Sequence, residues 1–223
     1  MLNLNNISKS FLQRGLVLDN LCLEVNEGDS IAIMGPSGSG KTTLMNILGL
    51  LEKPDSGEVT FRGSSILSFS EDESAFYRSR NIGFVFQDHL LLPYLTVREN
   101  ILLPLMAVSY SSEERSNREQ ELENLIIKTG ISDLAGKFPY EISGGEAQRV
   151  AMVRALSNNP SVILADEPTG SLDASNASVL GELLLDINKE SGTALIIATH
   201  SSGLAAKMSQ LLQLTDGKLI RVS

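Results

Sequence analysis

Eight consecutive residues, Gly35-Pro36-Ser37-Gly38-Ser39-Gly40-Lys41-Thr42, carry the clearest chemical signal in the chain. They fit the pattern G-x-x-x-x-G-K-[ST] and lie between a strand-like run, Ile31 to Met34, and a stretch with helical periodicity. Glycines allow the backbone to turn so that successive N–H groups point inward at phosphate oxygens, and the helix that follows adds its partial positive end. Lys41 supplies a mobile cation, and the hydroxyl of Thr42, with Thr43 beside it, suits a magnesium ion that bridges terminal phosphates. Transfer of a phosphoryl group to water needs two further groups, a carboxylate in the metal shell and one that orients the attacking water. Both are offered by Asp166-Glu167, directly after the apolar run Val162 to Ala165. Adjacent carboxylates at a strand end are costly without a nearby cation, so Asp166 is expected to serve the metal and Glu167 to act as general base or water-positioner.

These groups must be held by strands and helices that alternate. Strand-like pieces lie near Leu2 to Ser10, Leu16 to Val25 and Ile31 to Met34, so the start is β-rich. A helix follows over Lys41 to Leu50, then strands at Glu58 to Phe61 and Ile82 to Phe86. Residues 88–158 read as several helices, including the charged Ser112 to Thr129, inserted into an α/β core made of residues 1–87 and 159–223. The continuous apolar character of Val162 to Ala165 and Ala194 to Thr199 suits parallel strands covered on both faces. A helix over Ala174 to Glu190, one after His200 and a hairpin at Asp216-Gly217 complete the alternation. Within the helical insert, Ser143-Gly144-Gly145-Glu146 opens a helix with apolar positions Ala147, Val150, Ala151 and Ala155, and its free N–H groups form a second anion site.

Composition narrows the function classes. Against 27 Asp and Glu stand 18 Lys and Arg, a net charge of −9, which disfavours a general nucleic-acid binder. No stretch reaches the roughly 18 apolar residues needed to cross a bilayer, and the opening residues Met1 to Asn6 lack a secretory pattern, so a cytoplasmic chain is expected. The single cysteine, Cys22, lies in the run Leu21 to Val25 and is read as a buried, inert thiol.

Over nearly its whole length the chain resembles the nucleotide-binding subunit of ATP-binding cassette (ABC) transporters. Five motifs fall in that family's order: the phosphate loop, Gln87, Ile142-Ser143-Gly144-Gly145-Glu146, Asp166-Glu167 and His200, with Leu172-Asp173 at the usual interval. The resemblance implies a P-loop NTPase fold of the ABC type and magnesium-dependent ATP hydrolysis. Two copies would sandwich two ATP molecules head to tail, each lending Ser143 to Glu146 to the other's nucleotide. It gives Gln87 a place in the metal shell and beside the attacking water, His200 a contact with the γ-phosphate, Asp173 a role between subunits, and Phe11 a stacking position on adenine. Ile142, Glu146 and Ala147 depart from the commonest family residues, as does Gly170-Ser171 before Leu172, without removing Ser143, Gly145 or Asp173.

Gly83 to Gln87, Leu90 to Pro93, Thr96 to Asn100 and Leu103 to Leu105 are similar to a branch containing lipoprotein-release (LolD-type), macrolide-export and cell-division ATPases. The short end at Ser223 fits that branch too. Lipoprotein release through separate transmembrane subunits, at the cytoplasmic face of the inner membrane, is the expected role. Macrolide export and division are the alternatives. Soluble DNA-repair relatives carry a long coiled coil, for which the stretch between Gln87 and Ser143 is too short and lacks sustained heptads. The apolar run Leu90-Leu91-Leu92-Pro93-Tyr94-Leu95 is expected either to meet a membrane partner or to pack inside the helical insert.

Overall fold

The computed structural model describes residues 1–222. The chain begins with β1 (Leu2–Phe11), β2 (Gly15–Val25) and β3 (Ser30–Met34), then α1 (Lys41–Leu48), β4 (Ser56–Phe61) and β5 (Ser64–Ser65). It continues through α2 (Glu71–Asn81), β6 (Ile82–Val85), α3 (Val97–Leu102), α4 (Ser112–Lys128) and α5 (Gly144–Ala155). β7 (Val162–Asp166), α6 (Ala174–Ser191), β8 (Ala194–Ala198), α7 (Ser202–Ala205), β9 (Gln210–Thr215) and β10 (Lys218–Arg221) complete it. This is the alternating α/β pattern that the sequence implies.

A four-stranded antiparallel sheet has the order β2-β1-β4-β5. A six-stranded sheet has the order β10-β9-β3-β8-β7-β6 and is parallel throughout except for the β9–β10 hairpin. No residue of β3, β7 or β8 is exposed, because both faces of this sheet are covered. Ile163, Ala165, Leu195 and Ile197 point into a core shared with Ile101 of α3, Val150 of α5 and Leu184 of α6. Val162, Leu164, Ala194 and Ile196 point the other way, toward Leu44 of α1 and toward Leu4, Ile7 and Val59 of the antiparallel sheet. Each such Leu, Ile or Val stabilises the fold by roughly 1.5–3 kcal/mol relative to exposure.

The antiparallel sheet has an open face, and this corrects the expectation for Cys22. Along β2, Leu21, Leu23 and Val25 turn inward while Cys22 and Glu24 alternate outward. The thiol is therefore exposed, with the Asn6 N–H directed at its Sγ at 3.3 Å. Helix α2 is an element the hydrophobic pattern did not reveal. Only Ser74 and Tyr77 of its eleven residues are buried, and its start is set by a reciprocal cap in which Ser70 and Glu73 each bond the other's backbone N–H.

From β6 to α3 the chain crosses the loop 86–96, organised around a fully buried Asn100. Asn100 Oδ1 accepts from the Leu92 N–H at 2.7 Å, and Nδ2 donates to the carbonyls of Leu92, Leu95 and Thr96 at 3.1, 3.0 and 3.0 Å. The apolar run divides accordingly. Leu91 packs into the core, whereas Leu90, Leu92 and Tyr94 face outward, Tyr94 at 91% exposure. Among the described residues no helix is long and apolar enough to cross a membrane.

Candidate functional site

Four neighbouring parallel strands, β3, β8, β7 and β6, end on the same edge of the sheet, with Ile33 beside Ala198, Ala198 beside Asp166 and Ala165 beside Val85. Strand spacing of about 4.8 Å therefore places whatever follows each strand within one ligand's reach. The phosphate loop follows β3, His200 follows β8, Asp166 ends β7 with Glu167 next, and Gln87 follows β6. Gln87, Asp166, Glu167 and His200 line one cleft of about 560 Å³ with Ser37, Gly38, Gly40, Lys41, Thr42 and Thr43 of the loop and with Gly170, whereas Gly35, Pro36 and Ser39 do not line it.

The loop's path depends on glycine at two positions. A Cβ at Gly35 would sit 2.3 Å from the Leu214 carbonyl oxygen. Gly40 has φ of 104° and a Cβ there would meet Val17 Cγ1 at 2.8 Å. Gly40 leads into α1, whose first turn carries no acidic side chain, so the positive end of the helix is left for an outside anion. Lys41 is only 7% exposed, and its Nζ donates to the carbonyls of Gly35 at 2.9 Å and Pro36 at 3.2 Å.

Glu167 sits in the left-handed region, φ 48°, which costs a non-glycine residue roughly 1–3 kcal/mol. Its backbone is held there by an N–H bond to the Ala198 carbonyl at 2.9 Å, and its Oε2 accepts from the His200 N–H at 3.2 Å. Oε1 is buried without a hydrogen-bond donor, although His200 Nε2 stands 3.4 Å away. That same Nε2 lies 3.2 Å from Lys41 Nζ. An ammonium has only protons to offer, so this contact needs Nε2 as acceptor, and an accepting nitrogen has no proton for Glu167. One carboxylate oxygen of this cleft-lining residue is thus left without a donor.

The donor set fits a magnesium ion. Thr42, Asp166 and Gln87 offer a hydroxyl, a carboxylate and an amide oxygen around the same cleft. Among the described residues no cluster of three or more His, Cys, Asp or Glu forms a closed metal cage. A few hard oxygen donors, with the remaining positions left to phosphate and water, is the arrangement magnesium favours.

Two groups of the expected residues lie elsewhere. Ser143 and Gly144 are exposed at the start of α5 and do not line the cleft. Ser143 and Glu146 cap this helix reciprocally: the Ser143 N–H and hydroxyl donate to Glu146 Oε2 at 2.7 and 2.8 Å, and the Glu146 N–H donates to Ser143 Oγ at 3.3 Å. The Ser143 N–H, followed by its hydroxyl, holds the Glu146 carboxyl below the usual range. Gly145 abuts Asn176, whose amide donates to Asp173 Oδ2 at 2.7 Å, so the exposed Asp173 is tied to the α5 entrance through one side chain. Phe11, at the end of β1, is not among the residues lining the cleft, and Lys9 Nζ sits 5.3 Å from its ring centre. Arg14, in the β1–β2 turn, does line it, and no spacing in the sequence marks that turn as folding over the phosphate loop.

A family model described as ABC transporter matches residues 18–170. The lipoprotein-releasing system ATP-binding protein LolD 1 of Rhodopirellula baltica is 47% identical, covering 99% of this chain and 96% of that one. LolD of Bacteroides thetaiotaomicron is 44% identical, covering 98% of this chain and 99% of that one. Among solved structures, the ATP-binding cassette MJ0796, dimeric in a post-hydrolysis state with ADP and Pi, has 37% identity and a TM-score of 0.87, covering 100% of this chain and 99% of that one. Similarity this high along nearly the whole length means that the chain belongs to the ABC transporter family.

Proposed function

We propose that this chain hydrolyses magnesium-ATP as a head-to-tail dimer and thereby drives lipoprotein release through separate membrane subunits. The observation that carries the reading is the single cleft uniting Lys41, Thr42, Gln87, Asp166, Glu167 and His200. Loop N–H groups and Lys41 hold the β- and γ-phosphates, for which Nζ exchanges its bonds to the Gly35 and Pro36 carbonyls for phosphate oxygens. Thr42, Asp166 and Gln87 would hold a magnesium ion, which when bound neutralises charge on the terminal phosphates. Glu167 Oε1, buried and without a donor, orients water and takes its proton as the water oxygen bonds to the γ-phosphorus and the bond to the β,γ-bridging oxygen breaks. His200 steadies the departing phosphate.

The detached position of Ser143 to Glu146 supports a dimer, because an anion-binding helix start that cannot reach its own cleft can serve a partner's. The LolD relatives support lipoprotein release, and with it a peripheral position at the cytoplasmic face of the inner membrane. The outward face of Leu90, Leu92 and Tyr94, beside Gln87, suits contact with a membrane subunit. A steady-state phosphate-release assay on the purified chain tests hydrolysis. Co-reconstitution with the membrane proteins encoded beside it, scored by ATP-dependent release of an acylated protein from liposomes, tests the transport role. Release that does not need ATP, or no release from an active complex, overturns the lipoprotein reading.

A further inference from the structure

Two polar side chains of α5 reach away from its Ser143 end and grip the loop after β6. Gln148, fully buried, donates from Nε2 to the Phe86 carbonyl at 2.8 Å. Arg154 donates from Nη2 to the His89 carbonyl at 2.6 Å and from Nη1 to the Leu90 carbonyl at 2.7 Å. The held carbonyls bracket Gln87 on both sides. His89 and Leu90 are both left-handed, with φ of 47°, a conformation that persists only where surroundings impose it. Among the described residues Arg154 has no carboxylate partner, so its cation is committed to the two backbone oxygens. Gln148 Oε1 and His89 Nδ1 are both buried without a hydrogen-bond partner, so this contact region holds polar atoms that this arrangement does not satisfy.

We infer that Gln148 and Arg154 are positioning residues that fasten the loop carrying Gln87 to the helix carrying Ser143, so that the two ends of the nucleotide machinery move as one body. The inference rests on the hydrolase reading. The exposed Leu90 and the strained carbonyls of His89 and Leu90 belong to the same short segment, so force applied to the outer face reaches α5 through the Arg154 guanidinium. Lys41 and the phosphate loop lie outside the clamp, so ATP binding does not depend on it, whereas the placement of Gln87 during turnover does.

The test uses the full chain with Arg154→Met and Arg154→Lys, read by amide hydrogen exchange and by ATP hydrolysis. In Arg154→Met, exchange over residues 88–95 rises at least tenfold while β7 and β8 keep wild-type protection, kcat falls about tenfold, and KM for ATP stays within twofold. Arg154→Lys, which keeps a cation and a donor, recovers most of both changes. Unchanged exchange at 88–95, unchanged kcat, a loss confined to KM, or no rescue by lysine overturns the clamp. Should Arg154→Met not fold, Gln148→Met gives the same readouts from the Phe86 side, and wild-type values there also overturn it. A wild-type chain that does not hydrolyse ATP instead sinks the hydrolase reading and the inference with it.

Discussion

On the proposed reading two residues separate binding from turnover: Lys41 would meet phosphate in the ground state, whereas Glu167 would act only as water attacks. Replacing Lys41 with Ala removes a charge-assisted contact of about 1.5–3 kcal/mol, so ATP affinity falls roughly 10- to 100-fold. Glu167→Gln keeps affinity within a few-fold and lowers kcat by about 10²–10⁴. Fluorescent-nucleotide titration beside phosphate release checks both, and near-normal turnover in Glu167→Gln would remove that residue from its role. The Glu146 carboxyl makes a different prediction. It is depressed by the Ser143 N–H and hydroxyl, so its capping contribution is complete above the ordinary glutamate range and is lost as pH falls through the lower folded value. Wild type should therefore melt above Glu146→Gln at neutral pH, and the gap should close below about pH 4. A gap that persists in acid would mean that the cap does not depend on the charge.

At the level of elements, the loop 86–96 stands on Asn100. Asn100→Ala leaves the Leu92 N–H and the Leu95 carbonyl without a partner, while the Leu92 and Thr96 carbonyls keep backbone donors, and should cost about 3 kcal/mol, a fall in Tm of roughly 6–12 °C. Calorimetry measures it directly, and a loss under about 1 kcal/mol would show that water replaces the side chain. Tyr94, by contrast, lies outside both the cleft and the core. Tyr94→Asp should leave melting and basal hydrolysis within a few-fold of wild type while weakening co-purification with membrane subunits, and lost thermal stability would place it in the core. Which elements were legible follows from where their side chains go. The runs Val162–Ala165 and Ala194–Ala198 announce themselves because both faces are covered, and the phosphate loop because glycine and lysine spacing is local. Cys22 was misjudged because a short apolar run does not say whether one face or two are buried. Helix α2 hides because it buries only two side chains, although Ser70 and Glu73 mark its start. Arg14, Gln148 and Arg154 read as ordinary polar residues, since the rest of the cleft that Arg14 lines and the carbonyls that Gln148 and Arg154 hold come from distant parts of the chain.

As a whole molecule, one chain carries a cleft and, apart from it, the exposed helix start at Ser143 that we propose serves a partner's nucleotide. The isolated chain should be monomeric without nucleotide, and Glu167→Gln should dimerise with saturating ATP. Light scattering after size exclusion checks this, and a Glu167→Gln chain that stays monomeric even with its membrane partner ends the sandwich reading. Mixing Lys41→Ala with Ser143→Arg chains should restore hydrolysis above either alone, because both lesions then share one composite site and leave the other whole. The outward alternation of β2 gives such experiments a means of measurement. With one cysteine in the sequence, and that one exposed, a thiol-reactive dye or spin label attaches once per chain at Cys22, without mutagenesis. A monomer then carries one reporter and an assembled pair carries two at a fixed separation, so closure and reopening around nucleotide can be timed on the unaltered protein by energy transfer or by dipolar spectroscopy.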